Sequence, residues 1–216
     1  MRLNHVLCAV IAAAPCLPLH AQGAANPLPP RRLGITAGIN SATVGGGDVG
    51  EASRRAGFIV GASMVAPVTA NVAIEPQVLL TSKGANFEDS SGGGSITMNY
   101  VQVPLLVRVS GGGSGRARPF VFAGPAIALK ASCDLEGLEG GVSASISCDQ
   151  LEADGLKFKS VDYGVIVGAG LAFDVSGKTF SVGARYDHSL ADIDDASGIR
   201  HRVISLMATF EFPWMK

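Results

Sequence analysis

Charge is scarce in this chain of 216 residues, where Asp, Glu, Lys and Arg make up 16%, against roughly 25% in an ordinary soluble domain. A basic excess is missing too. With 17 Lys and Arg against 18 Asp and Glu, the electrostatic footprint that a phosphate backbone demands is absent, which excludes nucleic acid as a partner. After the N-terminal segment no apolar run reaches the ~18 residues of a membrane helix. No long face of helical period appears either. Cysteine is limited to four, with no CxxC pair and no cluster of metal-ligand spacing. What the chain has in abundance is hydrophobic residues, at 47%, and glycine, at 28 residues. That excludes a wholly disordered chain, and the absence of a Gly-X-Y period excludes a collagen.

The N-terminus reads as a secretory signal over residues 1–21, with cleavage between 21 and 23. Arg2 supplies the positive end, residues 6–14 the apolar core and residues 15–21 the breaker and processing region. Pro15 stands where a lipoprotein signal would need a small residue before Cys16. Removing the signal takes Cys8 and Cys16 with it and leaves Cys133 and Cys148, fifteen apart in an exported chain, as an expected loop-stapling disulfide. A proline-rich lead-in over 22–32 precedes the single domain expected over 33–216.

That domain alternates with period two. Strands are expected near 33–43, 56–66, 69–82, 96–109, 119–131, 160–174, 178–190 and 201–212. In 160–174 one face is Val161, Tyr163, Val165, Val167, Ala169, Leu171 and Phe173, and the other is Asp162, Gly164, Ile166, Gly168, Gly170, Ala172 and Asp174. Alternation alone suits a soluble sandwich as well as a membrane barrel, because both place one face against something apolar. The second face separates them. It carries small residues with occasional Glu75, Gln77, Arg108, Asp162, Arg185, Asp187 and Glu211, a mixture that fits the crowded interior of a narrow barrel.

Connection lengths run long, short, long, medium, long, short, medium. Outer-membrane barrels have short periplasmic turns and longer external loops, so this order fits eight antiparallel strands with both ends in the periplasm. An even count closes the sheet, and closure leaves no unpaired edge in lipid. The expected fold is therefore all-β, an eight-stranded antiparallel up-and-down transmembrane barrel.

Several segments carry a resemblance. They are residues 34–40 (GITAGIN), 74–80 (IEPQVLL) followed by Lys83 and Gly84, 100–106 (YVQVPLL), 118–125 (RPFVFAGP), 162–164 (DYG) with 168–170 (GAG), and 185–187 (RYD). In this order the chain resembles the small outer-membrane β-barrel domain family often labelled the porin family, relatives in form of the eight-stranded OmpA- and OmpX-type barrels. The resemblance implies an outer-membrane location in a Gram-negative bacterium, contact with outer-membrane lipid and the barrel-assembly machinery, and for most members no assigned activity. At the C-terminus Phe210, Phe212 and Trp214 alternate as an assembly signal would, while Pro213, Met215 and Lys216 depart from that pattern.

Candidate sites are few. His188 and Ser189 are adjacent on a strand and so face opposite sides, which argues against a nucleophile and base. His201 is expected at plain surface on the last external loop. The charged interior residues are expected to form a structural lumen network, since eight strands leave just enough interior for side chains. Pivoting the hairpin at Ser176 sets Arg185 opposite Val167 and Asp162 opposite Leu190. Loop acids, Asp192, Asp194 and Asp195 among them, read as solvated surface charge without an EF-hand pattern. Glycine runs at 45–47, 92–94 and 111–113 lack the Gly-Lys-Ser/Thr of a phosphate cradle and read as loops. No catalytic residue, cofactor or metal is expected. The functional expectation is a noncatalytic, monomeric barrel with an envelope-structural role or an unidentified surface or periplasmic partner. A small-solute or apolar-ligand channel and a lipid-modifying hydrolase using His188 are the alternatives.

Overall fold

A computed structural model describes residues 28–45, 52–89, 92–111, 117–139, 142–148, 150, 159–192 and 198–214. The signal segment and most of the lead-in lie outside the described residues. Nine strands are described: β1 (Arg32–Gly45), β2 (Ala52–Pro67), β3 (Val72–Asp89), β4 (Gly92–Ser110), β5 (Ala117–Glu139), β6 (Val142–Ser147), β7 (Val161–Val175), β8 (Lys178–Ser189) and β9 (Arg200–Pro213). Each long strand pairs antiparallel with its neighbours, β1 pairs with β9, and β4–β5 joins the two ends of the strand order. Eight strands thus close into a barrel. The short β6 pairs with the last residues of β5, from Asp134↔Ser147 to Glu139↔Val142, beyond the point where β7 leaves β5 at Leu129↔Val161.

The alternating pattern takes the sides its chemistry demands. Ile35, Ile39, Phe58, Val78, Val107, Val167, Leu206 and Phe210 project outward and are 44–65% exposed. Inside, Leu106, Phe120, Phe122, Ala126, Ile166 and Ala172 form an apolar layer against which Met207 packs. An exterior this apolar belongs in lipid rather than water.

Glycine makes that inner layer fit. Phe122 pairs across the ladder with Gly168 and Phe120 with Gly170, and the two rings lie 6.0 Å apart, nearly parallel. A Cβ added at Gly168 would fall 2.2 Å from the Phe122 ring, and one at Gly170 would fall 2.5 Å from the Phe120 ring. Here the glycines mark a close approach across the sheet.

Three sequence expectations are corrected. The β7–β8 hairpin turns on two residues, Ser176 (φ 50°) and Gly177 (φ 78°), with Val175 opposite Lys178. Both left-handed positions are what a tight hairpin matching the strand twist requires. The register therefore shifts by one, and Arg185 sits opposite Gly168 instead of Val167. The expected long connection at 83–95 is mostly strand, because β3 and β4 stay paired from Lys83↔Met98 up to Asp89↔Gly92. Likewise part of the expected loop at 132–159 is the end of β5 together with β6. Backbone pairing overrode weak strand propensity in these Gly- and Ser-rich ends.

Candidate functional site in the barrel lumen

Strand parity aims a polar side chain from nearly every barrel strand into the lumen, where they meet in two connected groups. Toward the end that holds both termini, the Arg108 guanidinium donates to Glu211 (Nη1 to Oε1, 2.8 Å) and lies 3.4 Å from Glu75. Arg32 donates to the other Glu211 oxygen at 2.7 Å, and the Gln77 amide donates to Glu75 at 2.8 Å. Arg108 also lies over the Phe120 ring, 3.8 Å from its centroid, so the apolar layer and the ionic group are packed together.

Further along the barrel, Arg185 donates to Gln102 and, at 3.5 Å, to Gln77 and Asp187. Gln102 donates to Asp187 at 2.6 Å. Lys83 donates to Asp162 at 2.9 Å and is 3.5 Å from Asp187, while the Ser189 hydroxyl donates to Asp162 at 2.8 Å. Nearest the other end, Tyr100 and His201 meet at 3.4 Å, ring edge to ring face. Gln77 links the two groups, so contacts run from Arg32 at one mouth almost to the other.

The groups balance in charge: Arg32, Lys83, Arg108 and Arg185 face Glu75, Asp162, Asp187 and Glu211. Arg185 and Lys83 are each 2% exposed and Glu211 is 0% exposed. Removing such ions from water costs several kcal/mol each, at the order-of-magnitude level, and only mutual pairing with added hydrogen bonds offsets that cost. Removing one member would leave its partner buried without a counter-charge.

All seven expected lumen residues point inward, and the structure brings Glu75, Gln77, Arg108 and Glu211 into one group and Arg185, Asp187 and Asp162 into the other. Asp162 and Arg185 do not meet; Lys83 and Ser189 hold Asp162 instead. Lys83, Arg32, Gln102 and Tyr100 are members that the sequence reading did not place in the lumen. His201 is a correction. It is 2% exposed and packed on Tyr100 rather than lying at plain surface, because β9 begins at Arg200 and carries it inside. His188 projects outward and stacks on Tyr186, with centroids 6.1 Å apart, so it shares no face with Ser189. Asp192 is paired with Arg200 at 2.7 Å, and Asp194 and Asp195 lie outside the described residues. No group of His, Cys, Asp and Glu that could hold a metal occurs among the described residues.

Cys133 on β5 and Cys148 just after β6 form a disulfide, with Cα atoms 5.3 Å apart. Both are buried against Met98, Tyr100 and Ala128, with Ile96 and Leu135 alongside. The bond ties β6 to the part of β5 that no barrel strand supports on that side. A Cys133→Ser/Cys148→Ser variant is expected to keep heat-modifiable migration in SDS gels. Limited proteolysis should then cut it within 132–159 at least several-fold faster, because the closed barrel does not depend on β6. Equal cleavage rates would show that the clamp is redundant.

A closed antiparallel barrel with an apolar exterior, an ion-paired interior and both ends at one mouth defines an integral outer-membrane β-barrel protein. The chain belongs to the family described as outer membrane protein beta-barrel domain, whose model matches residues 21–195. It resides in the outer membrane of a Gram-negative bacterium. The mouth where β1 begins and β9 ends also carries the short β2–β3 and β7–β8 turns, the side that is periplasmic in barrels of this class.

Among solved structures the chain is similar to the outer membrane protein OprG from Pseudomonas aeruginosa. The identity is 11% and the TM-score 0.52, over 87% of this chain and 97% of that one. It is also similar to Neisserial surface protein A, at 12% identity and a TM-score of 0.47, over 83% and 97% of the two chains. A third is Ail, the attachment invasion locus protein of Yersinia pestis, at 15% identity and a TM-score of 0.44, over 84% and 98%. The likeness to OprG, at 11% identity, shows the fold alone. No curated protein matches the sequence.

Proposed function

We propose that this protein is a closed, noncatalytic, monomeric barrel whose role, envelope-structural or surface-interacting, is exercised through its exterior and its external extension. The observation that carries this reading is the filled lumen. A charge-balanced network extends from Arg32 to Lys83 and Asp162, and the Phe120 and Phe122 rings lie over Gly170 and Gly168 beside it. A continuous water path would have to displace residues that are almost wholly buried. The opposite facing of His188 and Ser189 supports a noncatalytic reading, since a base must reach its nucleophile.

Planar-bilayer recording of the purified protein tests the proposal. The expected result is no reproducible discrete conductance from the wild type. Steps of uniform size from pure protein, abolished or enlarged by Arg108→Ala, would replace this reading with that of a small-solute channel.

A further inference from the structure

At the end away from the termini, one contact crosses the full width of the lumen. Tyr100 on β4 and His201 on β9 stand four strands apart in either direction around the ring of eight. Even so, the Tyr100 hydroxyl and His201 Nε2 lie 3.4 Å apart. The hydroxyl donates to the Met98 sulfur at 3.2 Å, which leaves its lone pairs to accept from the imidazole Nε2–H. His201 is then neutral with a bare Nδ1, and that nitrogen is buried with no hydrogen-bond partner.

A proton added at Nδ1 makes a buried, charged donor that faces no acceptor, which is costly. The neighbouring charges give no relief. Lys83 from β3 lies 5.3 Å from the Tyr100 ring centroid and already engages Asp162 from β7 and Asp187 from β8. Arg185 shares Asp187, so an imidazolium would be a third cation against two carboxylates. On β1 the lumen-facing neighbours are Ala42 and Val44. On β2 this end carries cations, the exposed Arg54 and Arg55, which donates to Asn86 at 3.4 Å. The backbone at His201 is also lightly held: it pairs with Val44 on β1, while the β8–β9 ladder stops at His188↔Arg202. Strand ends of this kind open at lower free energy than strand centres.

We propose that the Tyr100–His201 bridge is an acid-released seal on this end of the lumen: protonation of His201 parts the bridge and admits water to Tyr100, Lys83 and Asp162 while the barrel stays folded. Imidazole ordinarily titrates near about pH 6.5, so the seal is at full strength above that and weakens below it. The open fraction rises by up to about tenfold for each further pH unit. Met98 and Tyr100 also pack on Cys133 and Cys148, so parting the bridge loosens the footing of β6. The Phe120 and Phe122 layer is untouched. The seal therefore opens a vestibule rather than a pore, and the inference holds whether or not the lumen conducts.

The chain has three tyrosines, which makes fluorotyrosine a clean probe. The full mature protein in nonionic detergent would be labelled and its fluorine relaxation by a neutral gadolinium chelate followed from about pH 7.5 to about pH 4. Tyr163 and Tyr186, on the lipid-facing wall at 55% and 38% exposure, are covered by detergent and serve as references. The expected result is that relaxation at Tyr100 rises about fivefold or more in wild type as the pH falls, and less than about twofold in His201→Gln. His201→Phe, which keeps a flat ring without a titrating nitrogen, should respond as His201→Gln does. A flat wild-type profile would overturn the proposal, and so would an equal rise in either variant, which would assign the response to the carboxylates. A rise that coincides with loss of heat-modifiable migration would overturn it too, because the whole barrel would then be unfolding. The wild-type series decides the matter even if neither variant folds.

Discussion

Replacing Arg185 by leucine is expected to lower the stability of the folded barrel by about 3–5 kcal/mol, the usual cost of removing one member of a buried ion pair. Arg185 is 2% exposed and donates to Gln102, Asp187 and Gln77 from the middle of the lumen. Leucine fills some of the volume but leaves the Gln102 carbonyl oxygen without its donor and removes one of the cations facing Asp187. Lys83, 3.5 Å from Asp187, offsets part of that loss, so the lower half of the range is the better expectation. Urea unfolding of protein refolded into lipid vesicles measures it. The double variant Arg185→Leu/Asp187→Asn should recover part of the loss, because it removes the uncompensated charge. A single variant as stable as wild type would mean that the network contributes nothing to holding the strands in register.

Gly168→Val is expected to be at least as severe, with failure to reach the heat-modifiable folded form in most refolding conditions. The new Cβ would lie 2.6 Å from the Ala184 carbonyl oxygen on the adjacent strand, besides its clash with the Phe122 ring. The ring has little space to yield into, since Leu106 and Ile166 occupy the same layer, 1% and 0% exposed. Overpacking of this kind costs about 1–3 kcal/mol where neighbours can move, and more where the obstacle is backbone. Gly168→Ala combined with Phe122→Leu should fold better than Gly168→Ala alone. Gly137→Ala, whose Cβ meets nothing within 4 Å, should be near neutral. If Gly168→Val refolds with wild-type yield, the Phe–Gly contacts are not what sets the lumen width.

Arg32, Lys83 and His201 were missed at strand ends, whereas Gln102 and Tyr100 lie within the expected strand at 96–109, on the same parity as Arg108. On β9 the inward parity set by Glu211, Met207 and Ser205 continues to His201, and on β1 the parity of Gly34 and Thr36 continues back to Arg32. On β3 the step of two from Glu75 through Gln77 and Thr81 arrives at Lys83. Each was legible as lumen-facing from strand parity, Arg32 and Lys83 by extending a strand one residue and His201 at the start of the expected strand. Glycine, serine and charge at the strand ends read as loop because propensity there is weak, while ladder hydrogen bonds to neighbouring strands decide the outcome. A two-residue turn at Ser176 and Gly177 and a pivot on Ser176 alone differ by one residue in register, and the left-handed φ of both turn residues selects the former. That choice moves every cross-strand partner of β8 by one.

What the sequence by itself determined is the alternation, and with it the compartment. Low charge, abundant glycine and period-two apolar faces leave lipid as the one solvent that suits the outer surface. Closure of the sheet follows, because an open edge in lipid would leave backbone groups unpaired. Only the tertiary structure decided who meets whom inside. Lys83 reaches Asp162 across 79 residues of sequence, and Arg185 reaches Gln102 across 83. Such contacts depend on barrel closure and on the stagger of strands far apart in the chain, which a local pattern does not encode.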